Sequence, residues 1–234
     1  MSNLYRAVFF DLDGTLRIPK PNPTEAFIEF ARSLGVKVSL KNEQHVKRWA
    51  HKYWGQESLV QQDMVQFDTD SFWINYSKLL LEQINETEQL EKRAKLVREH
   101  FRDGYEPIVD VADGCQKTLM GLREKGYHVG LISNRSTPLN KTVSQLGLDG
   151  MFDFTLAAGE IKCWKPNPGI FTHALTFYDD LSPHECVYVG DNYYADGQGA
   201  SAANFYPVIF DPDNLYELSD FRRIQRIDDL LEWL

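Results

Sequence analysis

Residues 5–16 read YRAVFFDLDGTL, a short apolar run that ends in a polar motif. The run Arg6–Phe10 is typical of a strand that is buried on both faces. Gly14 within the motif indicates that the chain turns directly after this strand. Comparable apolar runs predict four more buried strands, at His128–Ile132, Phe154–Ala157, Cys186–Val189 and Pro207–Phe210.

Helical patterns lie between these strands. They predict helices over Gly114–Lys125, Leu139–Leu146 and Pro168–Tyr178, with Asn167 as the N-cap of the last one and Pro168 in its first position. Strands that alternate with helices indicate a parallel sheet with right-handed crossovers. We therefore predict an α/β fold, a Rossmann-like doubly wound parallel sheet.

One long stretch departs from this alternation. From about residue 17 to residue 107 the apolar spacing is helical and no strand pattern is evident, with helices predicted at Thr24–Leu34, Asn42–Trp54, Asp70–Gln83 and Glu86–Phe101. This stretch contains equal numbers of basic and acidic side chains, so the remainder of the chain carries the whole net charge of −9. We predict a helical domain over residues 17–107, inserted into a core formed by residues 1–16 and 108–234.

Length and composition exclude several classes of protein. A chain of 234 residues with 43% hydrophobic and 25% charged residues has enough apolar material for one large folded domain or two unequal ones. A net charge of −9 has the wrong sign for a protein that binds nucleic acid or an anionic membrane. The N-terminal apolar run of about five residues is too short for a signal peptide or a membrane span, so we expect a cytoplasmic protein.

The three cysteines are widely spaced, at Cys115, Cys163 and Cys186. They form neither a disulfide framework nor a zinc-binding pattern, and we expect buried thiols. The six histidines form no HExxH pair, so the sequence offers no support for zinc catalysis.

Polar side chains follow four of the predicted strands. In an open parallel sheet, ligands bind beyond the carboxyl ends of the strands, where these clusters should converge. Carboxylates held a few ångströms apart resist joint ionisation, and all-oxygen ligands of this kind suit Mg²⁺, which binds through one or two carboxylates and substrate phosphate. The clusters are Asp11-Leu12-Asp13-Gly14-Thr15, Ser133-Asn134-Arg135, Lys165-Pro166 and the segment from Asp191 to Asp196.

Two of these carboxylates suit different chemical roles. An aspartate can attack phosphorus and form an acyl phosphate, and a second carboxyl group can protonate the leaving oxygen and then deprotonate water. The turn at Gly14 predicts that Asp11 and Asp13 point in different directions, as two separate roles would require.

The four clusters, in this order, resemble the signature segments of the haloacid dehalogenase superfamily of phosphohydrolases. The matching segments are DLDGT after the first strand, Ser133-Asn134, Lys165-Pro166 and GDNYYAD after the fourth strand, so the resemblance spans essentially the whole chain. It implies that residues 17–107 form the helical cap domain that many members carry in this position. Members with such caps often act on small phosphorylated metabolites, such as phosphoglycolate or sugar phosphates.

The resemblance also implies a role for each matching residue. Asp11 would be the nucleophile, Asp13 the general acid and base, and Lys165 the group that neutralises nucleophile and phosphate. Backbone N–H groups of residues 12–15 and of Asn134 would complete the phosphate cradle. The implied phosphate-binding residues are Thr15, Ser133, Asn134 and Lys165, and the implied Mg²⁺ ligands are Asp11, Asp13 through its carbonyl, Asp191 and Asp196.

Several alternatives remain open at this point. Asp196 would either contact the metal, directly or through water, or orient Lys165. Asp13 favours phosphoryl transfer over dehalogenation, because a departing halide needs no proton. A phosphomutase of the β-phosphoglucomutase type and a non-catalytic module that binds a phosphorylated ligand stay as alternatives to a phosphatase. The sequence does not specify the substrate, nor whether the protein is a monomer or a homodimer.

Overall fold

The structure is a computed structural model that describes residues 4–234, apart from the side chain of Glu57. It divides into two compact units. One runs to Ile18 and resumes from Val109 to Leu234, and the other comprises Pro19–Ile108. The strands are β1 (Ala7–Phe10), β2 (Arg17–Lys20), β3 (Ile108–Val111), β4 (His128–Ser133), β5 (Phe154–Ala157), β6 (Cys186–Gly190), β7 (Tyr206–Phe210) and β8 (Arg222–Ile224).

The α-helices of the described residues alternate with these strands only outside the second unit. They are α1 (Pro23–Ser33), α2 (Leu40–Trp54), α3 (Glu57–Gln66), α4 (Thr69–Gln83), α5 (Leu90–Asp103), α6 (Cys115–Glu124), α7 (Asn140–Gln145), α8 (Ala158–Ile161), α9 (Pro168–Leu175), α10 (Gly199–Ala202) and α11 (Leu230–Trp233). A π-helical turn spans Tyr193–Gln198, and short 3₁₀ turns lie at Pro183–Glu185 and Ile227–Asp229.

The first unit is built on a six-stranded parallel sheet with the order β5-β4-β1-β6-β7-β8. The central strand β1 places Phe10 opposite Leu131 of β4 and Val189 of β6. Because the strands are parallel and in this register, the loops after β1, β4 and β6 leave the sheet at the same edge. The fold class predicted from the sequence is confirmed.

Both faces of the sheet are covered by apolar packing. Val8 and Phe10 lie in one buried cluster, and Ala7 and Phe9 lie in another on the opposite face, as the alternation of a strand requires. Burial on both faces explains why the strands read as continuous apolar runs.

Three strands do not follow the predicted pattern. The prediction that no strand lies between residues 17 and 107 is wrong, because β2 pairs with β3 in a separate two-stranded sheet. The β2 sequence RIPK contains a proline and has no buried residue, so it lacks the apolar signal of a core strand. The third, β8, is a three-residue strand at the end of the sheet, with the sequence RRI.

The second unit consists of α1–α5 around its own apolar core. Asn22 is the N-cap of helix α1, where a capping box with Glu25 satisfies two backbone N–H groups, and Pro23 occupies the first helical position. The side chains of Ser39 and Asp68 cap α2 and α4 by accepting backbone N–H groups of the first turn, without a reciprocal capping box. The buried core includes Phe27, Ile28, Ala31, Val46, Ala50, Leu80, Leu81, Ile84, Ala94 and Val97.

Two of its helices differ from the sequence prediction. Helix α3 is absent from the sequence prediction. Its apolar residues Leu59, Met64 and Val65 are exposed, so its sequence lacks the regularly spaced buried residues by which an amphipathic helix is predicted. Helix α5 begins at Leu90 rather than Glu86, because Asn85 and Gln89 have positive φ angles of 62° and 52° that a right-handed helix excludes.

The cysteines and the lengths of the helices bear on two further expectations from the sequence. Cys115 and Cys186 are buried free thiols, whereas Cys163 is only half-buried. Within residues 4–234, the helices are all too short or too polar to cross a lipid bilayer.

Candidate active site

The polar motif after β1 separates its two aspartates. The Asp11 N–H donates to the Val189 carbonyl oxygen at 2.8 Å, which keeps this residue in line with the sheet, and its side chain is buried. Gly14 then turns the chain with a φ of +92°, and the side chain of Asp13 remains 39% exposed. The two carboxylates therefore face different surroundings, in agreement with the directions expected from the sequence.

A buried lysine joins the loops that follow three strands. Lys165 Nζ lies 2.5 Å from Asp11 Oδ1 and 2.6 Å from Asp196 Oδ1, and the side chains of all three residues are almost completely buried. It also donates to the Tyr188 hydroxyl at 2.9 Å. One ammonium group thus provides the counter-charge for two carboxylates in a region that excludes water.

The backbone of Lys165 is held by the side chain of Asn134. Its N–H donates to Asn134 Oδ1 at 2.7 Å, and Asn134 Nδ2 donates to the Lys165 carbonyl oxygen at 2.9 Å. This double hydrogen bond fixes the lysine loop to the end of β4. The Asn134 side-chain amide is therefore used to position Lys165.

Three carboxylates come together beside this lysine. Oxygen atoms of Asp11, Asp191 and Asp196 all lie within 4.8 Å of one another. Thr15 Oγ1 lies 3.3 Å from Asp11 Oδ2 and 3.3 Å from Asp191 Oδ1, so its hydroxyl bridges two of them. Asp196 Oδ2 also accepts the N–H of Asn192 at 2.9 Å, so both oxygens of this carboxylate are engaged within the protein.

Glycines make room for this cluster. A Cβ on Gly14 would lie 2.4 Å from Asp191 Oδ2, and one on Gly190 would lie 2.3 Å from Asp196 Cγ. Both distances are far inside van der Waals contact, so only glycine allows these carboxylates to approach the backbone so closely.

Burial and mutual repulsion perturb the carboxylates. Burial raises the pKa of Asp11 from 3.8 to about 7, against the opposing effect of Lys165. The pKa of Asp191 is also raised well above its usual value, first by burial and then by the charge of Asp11. For Lys165, burial alone would lower the pKa, but Asp11 and Asp196 outweigh it and hold the pKa above its usual value.

The donor set of this cluster fits a hard divalent cation. Three carboxylates share a single buried lysine, so the site retains excess negative charge when all of them are ionised. The clustered donors are oxygen atoms, which Mg²⁺ prefers over nitrogen and sulfur. A cation among these oxygens would relieve the repulsion that raises the pKa values of Asp11 and Asp191.

The remaining predicted residue, Ser133, closes β4 at the same edge of the sheet and is buried. Its Oγ accepts the N–H of Arg135 at 3.4 Å, a long hydrogen bond. Seven of the eight residues predicted for the site thus lie on loops or strand ends at this edge, and the eighth, Asp196, lies in the π-helical turn that follows β6.

Two residues near the site were not among those predicted. Tyr188 occupies an interior position of β6, where an aromatic residue reads as ordinary core, although its hydroxyl contacts Lys165 and donates to the Ile132 carbonyl oxygen at 3.0 Å. Arg135 donates to both carboxylate oxygens of Asp13, at 2.7 and 2.8 Å. Its position directly after Ser133-Asn134 is the only sequence signal that points to it.

The sequence matches the haloacid dehalogenase-like hydrolase family over residues 5–204. Among curated relatives, haloacid dehalogenase-like hydrolase domain-containing protein 3 of Mus musculus is 35% identical over 99 residues, which is 42% of this chain and 39% of that protein. The chain thus spans less than half the length of this relative. Pyrophosphatase PpaX of Bacillus cereus is 26% identical over 189 residues, covering 80% of this chain and 74% of that protein.

The fold has counterparts among solved structures. The HAD-hydrolase YfnB of Bacillus subtilis aligns with a TM-score of 0.61 at 15% identity, covering 98% of each chain. This likeness concerns the fold, whereas the sequence match over 200 of the 234 residues establishes the family. The chain belongs to the haloacid dehalogenase-like hydrolases.

Proposed function

We propose that this hydrolase is a Mg²⁺-dependent phosphatase that cleaves a small phosphomonoester through an aspartyl-phosphate intermediate. The observation that carries the proposal is the pairing of buried Lys165 with Asp11, beside the two further carboxylates of Asp191 and Asp196. The similarity to a curated relative named pyrophosphatase also supports an activity on phosphate compounds.

In this proposal Asp11 is the nucleophile. Its carboxylate is fixed by Lys165 at Oδ1 and lies near Thr15 Oγ1 at Oδ2, so its orientation is set before a substrate binds. The oxygen attacks phosphorus, the acyl phosphate forms, and the bond to the leaving oxygen breaks. Lys165 offsets the negative charge that nucleophile and phosphoryl group bring together.

Asp13 then serves the proton transfers. It lies two residues beyond the nucleophile, and its side chain is 39% exposed, so solvent can reach it. It gives a proton to the leaving oxygen and later takes one from the water that hydrolyses the acyl phosphate. Ser133, Thr15 and the backbone N–H groups of Leu12, Asp13, Thr15 and Asn134 would hold the phosphoryl oxygens, whereas the Gly14 N–H already donates to the Arg17 carbonyl oxygen at 2.9 Å.

The residues that would hold Mg²⁺ are Asp11, Asp191 and the carbonyl of Asp13, with Asp196 beside them. When bound, the cation supplies positive charge that favours approach of a phosphate dianion to a carboxylate nucleophile. Asp196 Oδ1 already contacts Lys165 and its Oδ2 accepts a backbone N–H, so we propose that Asp196 mainly orients the lysine.

The first test is the variant Asp11→Asn with p-nitrophenyl phosphate as substrate and Mg²⁺ present. Because the amide cannot attack phosphorus, we expect kcat to fall by at least about 1000-fold while the circular dichroism spectrum stays unchanged. Asp180→Asn is the matched control, since this exposed aspartate pairs only with Arg6 among the contacts described.

The outcomes separate the proposal from its alternatives. Retained turnover in Asp11→Asn would exclude Asp11 as the nucleophile. An unaltered protein that binds phosphorylated metabolites but releases no phosphate from any of them would instead be a binding module.

A further inference from the structure

Arg135 makes a bidentate contact with Asp13, the residue proposed to transfer protons. Arg135 lies in the loop after β4, and its guanidinium donates from Nε to Asp13 Oδ2 at 2.7 Å and from Nη2 to Asp13 Oδ1 at 2.8 Å. Two parallel hydrogen bonds between planar groups fix the orientation of a carboxylate, which a single contact does not.

The guanidinium is itself held in place from the other side. Its Nη1 donates to Thr142 Oγ1, on α7, at 2.8 Å. The Arg135 side chain is 30% exposed, so it lies against the protein for most of its surface. A chain of contacts therefore runs from α7 through Arg135 to Asp13.

Asp13 needs such support because its own surroundings restrain it weakly. It follows a strand, precedes the turn at Gly14, and has a 39% exposed side chain. Its other described partner is Arg17, four residues later, which reaches Oδ1 alone at 3.1 Å. Without Arg135 the carboxylate would follow this single, longer contact and lose its fixed plane.

We propose that Arg135 is a positioning residue that sets the orientation of the Asp13 carboxylate, with Thr142 holding the guanidinium. The inference rests on the proposed function, in which ionised Asp13 takes a proton from the water that hydrolyses the acyl phosphate. A proton transfer requires the donor and acceptor at hydrogen-bond distance, so a carboxylate that turns freely is a poorer catalyst. Arg135 acts through Asp13 and need not touch the substrate.

The test is a double-mutant cycle of Arg135→Gln and Asp13→Asn, measured as kcat and KM with p-nitrophenyl phosphate and Mg²⁺. This substrate has a leaving group good enough for residual turnover without Asp13. We expect Arg135→Gln alone to lower kcat about tenfold or more with KM changed less than about twofold. In the Asp13→Asn background the same substitution should change kcat less than about twofold, because its target is already lost.

Arg135→Lys and Thr142→Val test the geometry with smaller changes. Lysine retains the positive charge but not the planar fork, so we expect kcat to fall at least about threefold. Thr142→Val removes the contact to Nη1 and should lower kcat by a smaller factor, which also vanishes when Asp13 is asparagine. These variants keep the test decisive if Arg135→Gln does not fold.

Arg226→Gln is the matched control. Arg226 also donates to both oxygens of an aspartate, Asp228, in the same unit, and its described hydrogen bonds involve none of the site residues above. Its kcat should equal that of the unaltered protein.

Three results would overturn the inference. An equal loss of kcat in both Asp13 backgrounds would show that Arg135 acts independently of Asp13. A KM raised about tenfold at constant kcat would show that it binds substrate, and full activity of Arg135→Lys would show that charge alone matters. If Asp11→Asn loses activity while the cycle is additive, this inference fails and the proposed function stands; if Asp11→Asn stays active, the proposed function itself fails.

Discussion

At the scale of single residues, the site depends on the balance between burial and pairing around Lys165. Removing a lysine and two carboxylates from water is costly, and the cost is offset only when their charges and hydrogen bonds are paired. Lys165 meets this condition with Asp11, Asp196 and the Tyr188 hydroxyl. The pKa of Asp191 stays raised despite the charge of this lysine, because burial and the charge of Asp11 outweigh it.

The raised pKa of Asp11 predicts how Mg²⁺ binding depends on pH. Its pKa is about 7 in the folded protein and near 3.8 otherwise, so folding favours the protonated form. The contribution of this group to the free energy of unfolding is therefore highest below about pH 4 and is lost as the pH rises through 7. In the proposed function Mg²⁺ binds the ionised form of Asp11, so the cation and the proton would compete for this carboxylate.

We expect the Kd for Mg²⁺ to be about 30-fold weaker at pH 5.5 than at pH 8 from competition at Asp11 alone. Isothermal titration calorimetry at the two pH values measures this ratio. In Asp11→Asn the ratio should shrink, because the titrating group is removed. Equal affinity at pH 5.5 and pH 8 in the unaltered protein would contradict the assignment of Asp11 as a ligand.

Some site residues can be predicted from the sequence because their position in a local pattern indicates the site, and others cannot. Asp11 and Asp191 directly follow apolar runs, so they stand out as polar residues at strand ends, whereas Lys165 lies in the loop between a predicted strand and a predicted helix. Tyr188 lies inside such a run, and its hydroxyl contact depends on side-chain packing that no local pattern contains. Arg135 reaches an aspartate 122 positions away, and a contact of that kind follows only from the tertiary fold.

At the scale of elements, the turn after β1 determines whether the carboxylates can assemble. Gly14 combines a left-handed backbone conformation with a close approach to Asp191. These two constraints have different consequences. A side chain at this φ angle would lower the stability of the fold, whereas a Cβ this close to Asp191 would move a carboxylate proposed to bind the cation.

Gly14→Ala is predicted to impair both folding and the site. A φ of +92° costs a side chain roughly 1–3 kcal/mol of stability, and the new Cβ would displace the Asp191 carboxylate. We expect Mg²⁺ affinity and kcat each to fall at least about tenfold, measured by calorimetry and p-nitrophenyl phosphate turnover.

Gly126→Ala separates the two effects. Gly126 has a φ of +85°, and a Cβ at this position would meet nothing within 4 Å, so this variant carries the strain without the clash. It should lose stability while keeping its Mg²⁺ affinity. If both variants lose affinity equally, strain alone is responsible and the contact with Asp191 has no role.

Local sequence patterns are sufficient to predict some of the strands and helices but not others. The five core strands and the Asn167 cap of α9 follow from apolar runs and cap chemistry that are local. The strands β2 and β8 are short and rich in charged residues, and their pairing depends on neighbours that are remote in sequence. Helix α3 buries too little of its surface to require a helical spacing of apolar residues in its sequence.

At the scale of the whole molecule, the parallel sheet brings together residues that are more than 150 positions apart, such as Asp11 and Lys165. The order β4-β1-β6 places the ends of three strands side by side, and the Lys165 loop joins them through Asn134. The sequence predicts this convergence because parallel strands share one carboxyl edge. It does not predict the pairing of Lys165 with both Asp11 and Asp196, since those distances depend on packing at the edge.

The central claim is that these gathered residues allow Asp11 to accept a phosphoryl group, and trapping the intermediate tests it most directly. The protein is mixed with a phosphorylated substrate and Mg²⁺, quenched in acid within the first turnover, and digested for mass spectrometry. We predict a phosphoryl group on the peptide that contains Asp11, lost on treatment with hydroxylamine and absent when Mg²⁺ is chelated. Rapid phosphate release with no phosphoryl group on Asp11, or with one on a different residue, would contradict the account.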